Sequence, residues 1–154
     1  MNHFTRLQKL AFTLRLRSRP VFRDRVYGDL CFDGRIWSGR VYFPPTESEI
    51  WIHYPTPSVG GPTALEKDRY DKLVQGYSKI AEQAFDKARE SVKNSSISVT
   101  GSFFLNLSGV FIGPVMPRPE YDLVCEFRSE QISEAFCFCV WVRNQSVETW
   151  DLFD

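Results

Sequence analysis

The chain has 154 residues, 43% of them hydrophobic and 15% aromatic, with 19 Lys plus Arg balanced by 19 Asp plus Glu. That length and apolar content suit one domain spanning 1–154, able to bury a core without a metal or a disulfide. A formal net charge of zero excludes a chain that is basic throughout, as a general phosphate-backbone binder would be.

The neutral total hides an asymmetry. Residues 1–25 carry seven Lys or Arg against Asp24 alone, whereas residues 118–154 carry three Arg against eight acids. The head, residues 1–20, reads as a short basic amphipathic helix over about residues 2–15, with Phe4, Leu7, Ala11 and Leu14 on one stripe. The alternation of Leu10, Phe12, Leu14 and Leu16 keeps a strand open for the same segment. Pro20 then marks extended chain.

The body, residues 21–154, begins with a strand over Val26–Phe32, an Asp-Gly turn at Asp33–Gly34 and a strand over Arg35–Phe43. In the second of these, Trp37, Gly39 and Val41 share one face. A third strand over Glu49–Tyr54 places Ile50 and Ile52 on one side and Trp51 and His53 on the other. The spacing suits an antiparallel meander. After the Pro/Gly-rich linker, Thr63 followed by Glu66 has the capping-box spacing, and a helix is expected over about residues 63–93. Its stripe runs through Tyr70, Leu73, Tyr77, Ile80, Ala84 and Ala88. Gly76 interrupts the helix and predicts a kink or a close approach to the sheet.

Strands follow over residues 97–99 and 103–112, 121–128, 135–142 and 147–150, with Gly101 and Gly109 as expected bulges. The run "AFCFCVWV" is bulky on both faces, as in a central strand covered twice. The long helix and the head helix are the expected covers. The fold class is therefore α+β: a mostly antiparallel sheet of about seven strands, one long helix and a short N-terminal helix.

Gly28, Leu30, Trp37, Gly39, Val41, Phe43, Gly61, Pro62, Tyr70 and Leu73 form a strand "G-x-L", a "W-x-G-x-V-x-F" strand, a "G-P" turn and a helix with "Y-x-x-L". This pattern, over roughly residues 1–80, resembles that of a group of small bacterial proteins with a domain of unknown function. The resemblance implies a structural signature and a bacterial chain, and it transfers no activity. Some related small domains look like immunity proteins of toxin systems.

Chemistry is sparse. With two histidines, His3 and His53, a nucleophile–base set would need His53, with Cys31 or Asp33 on a neighbouring strand. Cys137 and Cys139 share a strand face but are poorly spaced for a disulfide. Tetrahedral zinc wants four ligands, and neither histidine is near the thiols in sequence. No catalytic residue, metal or cofactor is assigned.

The binding candidates are Arg6, Lys9, Arg15 and Arg17 in the head, Met116 and Arg118 in the proline-rich loop "GPVMPRPE", and Trp51 with His53. The leading expectation is a non-catalytic protein-interaction module, immunity-like or regulatory, with a protein partner. The alternatives are a peripheral protein held on an anionic membrane surface by the head, and a small ligand-binding protein or enzyme using His53. Nucleic acid is not expected and a homodimer is left open. No secretory leader or membrane-spanning apolar run is read, so a cytoplasmic location is expected.

Overall fold

The computed structural model describes residues 19–94, 99, 103–115, 118–132 and 137–153. The fold is α+β. Eight strands form one sheet, in sequence order from edge to edge. They are β1 (Val21–Asp24), β2 (Gly28–Phe32), β3 (Trp37–Phe43), β4 (Ser48–Tyr54), β5 (Asn106–Ile112), β6 (Leu123–Arg128), β7 (Cys137–Arg143) and β8 (Ser146–Phe153). One helix, α1 (Ala64–Lys93), lies between β4 and β5 in the chain. All neighbouring pairs are antiparallel except β4 and β5, which are parallel. The expected N-terminal helix, and its role as a second cover, fall outside the described residues.

The expected sheet of about seven strands is present with eight, the additional one being β1. The strand expected to begin at Val26 begins at Gly28. Asp24 Oδ1 accepts the amides of Val26 at 2.8 Å and Tyr27 at 3.2 Å. This side-chain turn ends β1 and begins the hairpin to β2. The Asp-Gly turn is present as expected. Asp33 Oδ1 accepts from Ile36 and Arg35, and those bonds hold its carboxyl below the ordinary carboxylate value.

The helix starts where the sequence indicates. The Thr63 hydroxyl oxygen accepts from the Glu66 amide at 3.3 Å, and the Glu66 carboxylate accepts from the Thr63 amide at 2.7 Å. Tyr70, Leu73, Ile80, Ala84 and Ala88 are buried along one stripe, with Tyr77 and Phe85 packed beside them. Gly76 does not break the helix, which runs unbroken through it. A Cβ there would stand 2.9 Å from Gln145 Oε1, so the close approach is to the β7–β8 turn. In that turn Asn144 and Gln145 both have positive φ, at 50° and 59°, as the tight two-residue hairpin requires.

The core lies between α1 and one face of the sheet. Cross-strand neighbours Leu30, Gly39, Ile52, Val110, Cys125 and Val140 form one continuous row across six strands. Trp37 is 1% exposed. Its ring packs on Phe32 with centroids 5.1 Å apart, and Nε1 donates to the Ser58 carbonyl at 2.7 Å. Gly39 is required next to it, since a Cβ there would overlap the Asp29 carbonyl oxygen on β2. The double-sided apolar character of β7 is real: Phe138, Val140 and Val142 are buried on the helix side. On the other side Trp141 lies under the Arg118 guanidinium and beside Tyr121.

These contacts set a graded stability series. Trp37→Ala should cost about 3–5 kcal/mol in urea unfolding, through loss of a buried ring and the cavity left behind. Trp37→Phe should cost less, about 1–2 kcal/mol, chiefly from the lost hydrogen bond. A Trp37→Ala protein of native stability would overturn the assignment of this residue to the core.

Candidate functional site

The sheet face turned away from α1 carries the chemistry-bearing side chains. The register aligns them in two cross-strand rows. One runs Cys31, Ser38, His53, Phe111, Val124 and Trp141; the other runs Asp29, Arg40, Trp51, Gly109, Glu126 and Cys139. Trp51 and His53 therefore sit side by side on β4, as alternation predicts, at the middle of the sheet.

His53 is wedged among aromatic rings. Its ring lies against Phe111 with centroids 4.3 Å apart and planes at 16°, and beside Trp51 at 6.4 Å and 12°. His53 Nδ1 and Ser38 Oγ share a hydrogen bond of 2.9 Å. Desolvation lowers the imidazole's proton affinity below its ordinary value, and the charge of Glu126 opposes this in part. The Arg40 guanidinium covers the Trp51 ring at 5.0 Å and pairs with Glu49 at 3.7 Å.

Gly109 stands opposite Trp51 across the parallel ladder. Its missing side chain opens a shallow slot of about 500 Å³ lined by Trp51, His53, Ser108, Gly109, Glu126 and Arg128. The ladder slips between Leu107 and Gly109, which gives the irregularity expected near Gly109. Ser108, at the slip, donates to Glu126 Oε1 at 2.9 Å and to the Glu126 carbonyl at 3.1 Å. Arg128 Nε donates to the same carboxylate oxygen at 3.0 Å. The slot has an aromatic wall and a wall of paired, opposite charges.

The amides flanking Ser38 lie in a strand laddered to β2 on one side and β4 on the other, so no free pair of donors is left beside its hydroxyl for an oxyanion. Cys31 is separated from His53 by Ser38, and Asp33 binds the backbone of its own turn. The sets His53–Cys31 and His53–Asp33 are therefore not assembled. Among the described residues no group of three or more His, Cys, Asp or Glu side chains is placed to hold a metal ion.

Arg118, expected with Met116 as a contact patch in the proline-rich loop, lies against the sheet. Its Nη2 pairs with Asp151 at 3.2 Å, its Nη1 donates to Thr149 Oγ1 at 3.3 Å, and its charge sits over Trp141. The loop residue is turned onto the sheet because Trp141 and Asp151 offer a ring and a carboxylate together. Arg6, Lys9, Arg15, Arg17 and Met116 lie outside the described residues. Arg40, Ser108 and Arg128 join the site without having been singled out in the sequence, and Gly109, expected only as a bulge, joins it too. Only the register of β4 on β5 places Gly109 against Trp51.

A second concavity, of about 340 Å³, lies between α1 and the β7–β8 turn. Its rim charges are engaged within the fold, Arg69 with Asp122 at 3.4 Å and Lys72 with Asp68 at 2.7 Å. No helix among the described residues is long and apolar enough to cross a membrane. No family model matches the chain, and neither the curated proteins nor the solved structures contain a match to it.

The environment of His53 makes a pH prediction. Its folded proton affinity lies below the ordinary value of 6.5, so folding favours the neutral ring. That contribution is complete above the ordinary value and is lost as pH falls through the lower folded one. The urea midpoint should fall between about pH 7.5 and about pH 5. In His53→Phe, which keeps a ring in the stack and cannot protonate, the fall should be smaller. An equal fall in both proteins would place the acid sensitivity elsewhere.

Proposed function

We propose that the protein is a non-catalytic protein-interaction module, of an immunity-like or regulatory kind, that grips its partner through the sheet face around Trp51 that is turned away from α1. The observation that carries this reading is Trp51 itself. It is 47% exposed on a central strand that is paired on both sides, with an empty slot next to it. Exposed Trp and Arg on a rigid support are the residues that dominate protein–protein binding energy.

The charge pattern favours a protein over phosphate groups. Arg40 is paired with Glu49 and Arg128 with Glu126, so the patch presents both signs locally. A polyanionic backbone or an anionic headgroup layer calls for an excess of cations. A mixed-sign rim around an aromatic centre suits a folded protein surface that carries both signs as well.

The test uses tagged full-length chain, captured with its partner from the native host and then measured against that purified partner. Trp51→Ala should weaken binding by roughly 30-fold or more, the range of an interface anchor. Gly109→Val, which fills the slot from a strand position with room for a Cβ, should weaken it as well. Both variants should melt as cooperatively as the wild type. A partner held with unchanged affinity by both folded variants would rule out this face.

A further inference from the structure

Beyond the slot, the same face carries a feature that interaction alone does not use. Cys137 and Cys139, two residues apart on β7, point to one side with their Sγ atoms 3.7 Å apart. Both are half-buried free thiols. Two thiolates on one metal at about 2.3 Å each stand at most about 4.6 Å apart, so the pair lies within reach of a single ion. Hard and borderline ions need more ligands than this site offers, and soft ions are selected by sulfur alone.

We infer that Cys137 and Cys139 form a two-thiolate site for a soft monovalent cation of the Cu(I) class. Glu126 is the cross-strand partner of Cys139 and lies next to both sulfurs. Its carboxylate offers an acceptor through which the thiol protons leave for solvent. Burial holds both thiols protonated above the ordinary thiol value, so metal–sulfur bonding has to displace those protons. Each Sγ–H bond breaks as a sulfur–metal bond forms, two protons pass to buffer, and no electron moves because copper enters as Cu(I). The site then carries one net negative charge, and the adjacent Glu126 adds none to it because Arg128 is paired with its carboxylate. The slot lined by Glu126 and Arg128 is the entry path.

Anaerobic Cu(I) competition against a colorimetric chelator tests this on the full chain. Wild type should bind one Cu(I). Cys137→Ser and Cys139→Ser should each lower the affinity by on the order of a hundredfold, as expected when one of two thiolates is lost. Cys31→Ser, which removes an exposed thiol on β2, should leave it unchanged. Far-ultraviolet dichroism and a melt confirm that each variant is folded. The inference is overturned if either β7 variant, folded, binds Cu(I) as tightly as wild type. It is equally overturned if wild type binds no more tightly than the double variant. Because Trp51 is not a ligand, Trp51→Ala should retain copper whether or not it retains a partner protein.

Discussion

Three residue pairs form the ladder that joins the two halves of the sheet: Trp51 with Gly109, Ile52 with Val110, and His53 with Phe111. Strands β1 to β4 form one antiparallel meander and β5 to β8 another. Among the described residues the strands of the two meanders are hydrogen-bonded to each other along this short parallel ladder. Parallel neighbours cannot be joined by a hairpin, because the chain must travel back the length of the sheet before starting the second strand. The 30-residue helix is that return path. Its apolar stripe then has one place to be buried, the face formed by Leu30, Ile52, Val110, Cys125 and Val140.

The two sides of the sheet consequently follow different rules. On the helix side close packing governs: Gly39 leaves room for the Asp29 carbonyl, and Trp37 fills the space beside it and satisfies its one donor on Ser58. On the other side alternation brings out aromatic and charged residues together. The charges are neutralised pairwise rather than left as a field, through Arg40 with Glu49, Arg128 with Glu126, and Arg118 with Asp151. Individually such partly exposed pairs contribute little stability. Their effect here is to orient guanidinium groups over Trp51 and Trp141 and to fix the rim of the slot. A binding surface on paired strands is held more firmly than one on a loop, which suits recognition by shape.

Elements written by near neighbours in the chain were legible. The capping box at Thr63 and Glu66 marked the helix start, the Asp-Gly pair marked the β2–β3 hairpin, and period-two alternation separated Trp51 and His53 from Ile50 and Ile52. The same alternation put Trp37 on the core face. What misled was local chemistry with a distant partner. Arg118 sits in a proline-rich loop that looks free, yet Trp141 and Asp151 draw it onto the sheet. At Gly76, where the sequence left a kink or a close approach open, the close approach is to Gln145 of the β7–β8 turn, a partner far along the chain. β1 spans only four residues, and Val26 and Tyr27, which read as the start of a strand, lie in the turn that follows it.

The sequence by itself determined the fold class, the helix, most strand positions and which residues of each strand face together. Those follow from backbone propensity and from periodicities of 2 and 3.6, which act over a few residues. Only the tertiary structure decided that β4 lies parallel to β5, that Gly109 falls opposite Trp51, and that Glu126 stands beside the two β7 thiols. Each of those juxtapositions joins residues from different strands. Register between such strands is set by how whole apolar faces fit under one helix, and no local pattern encodes that fit.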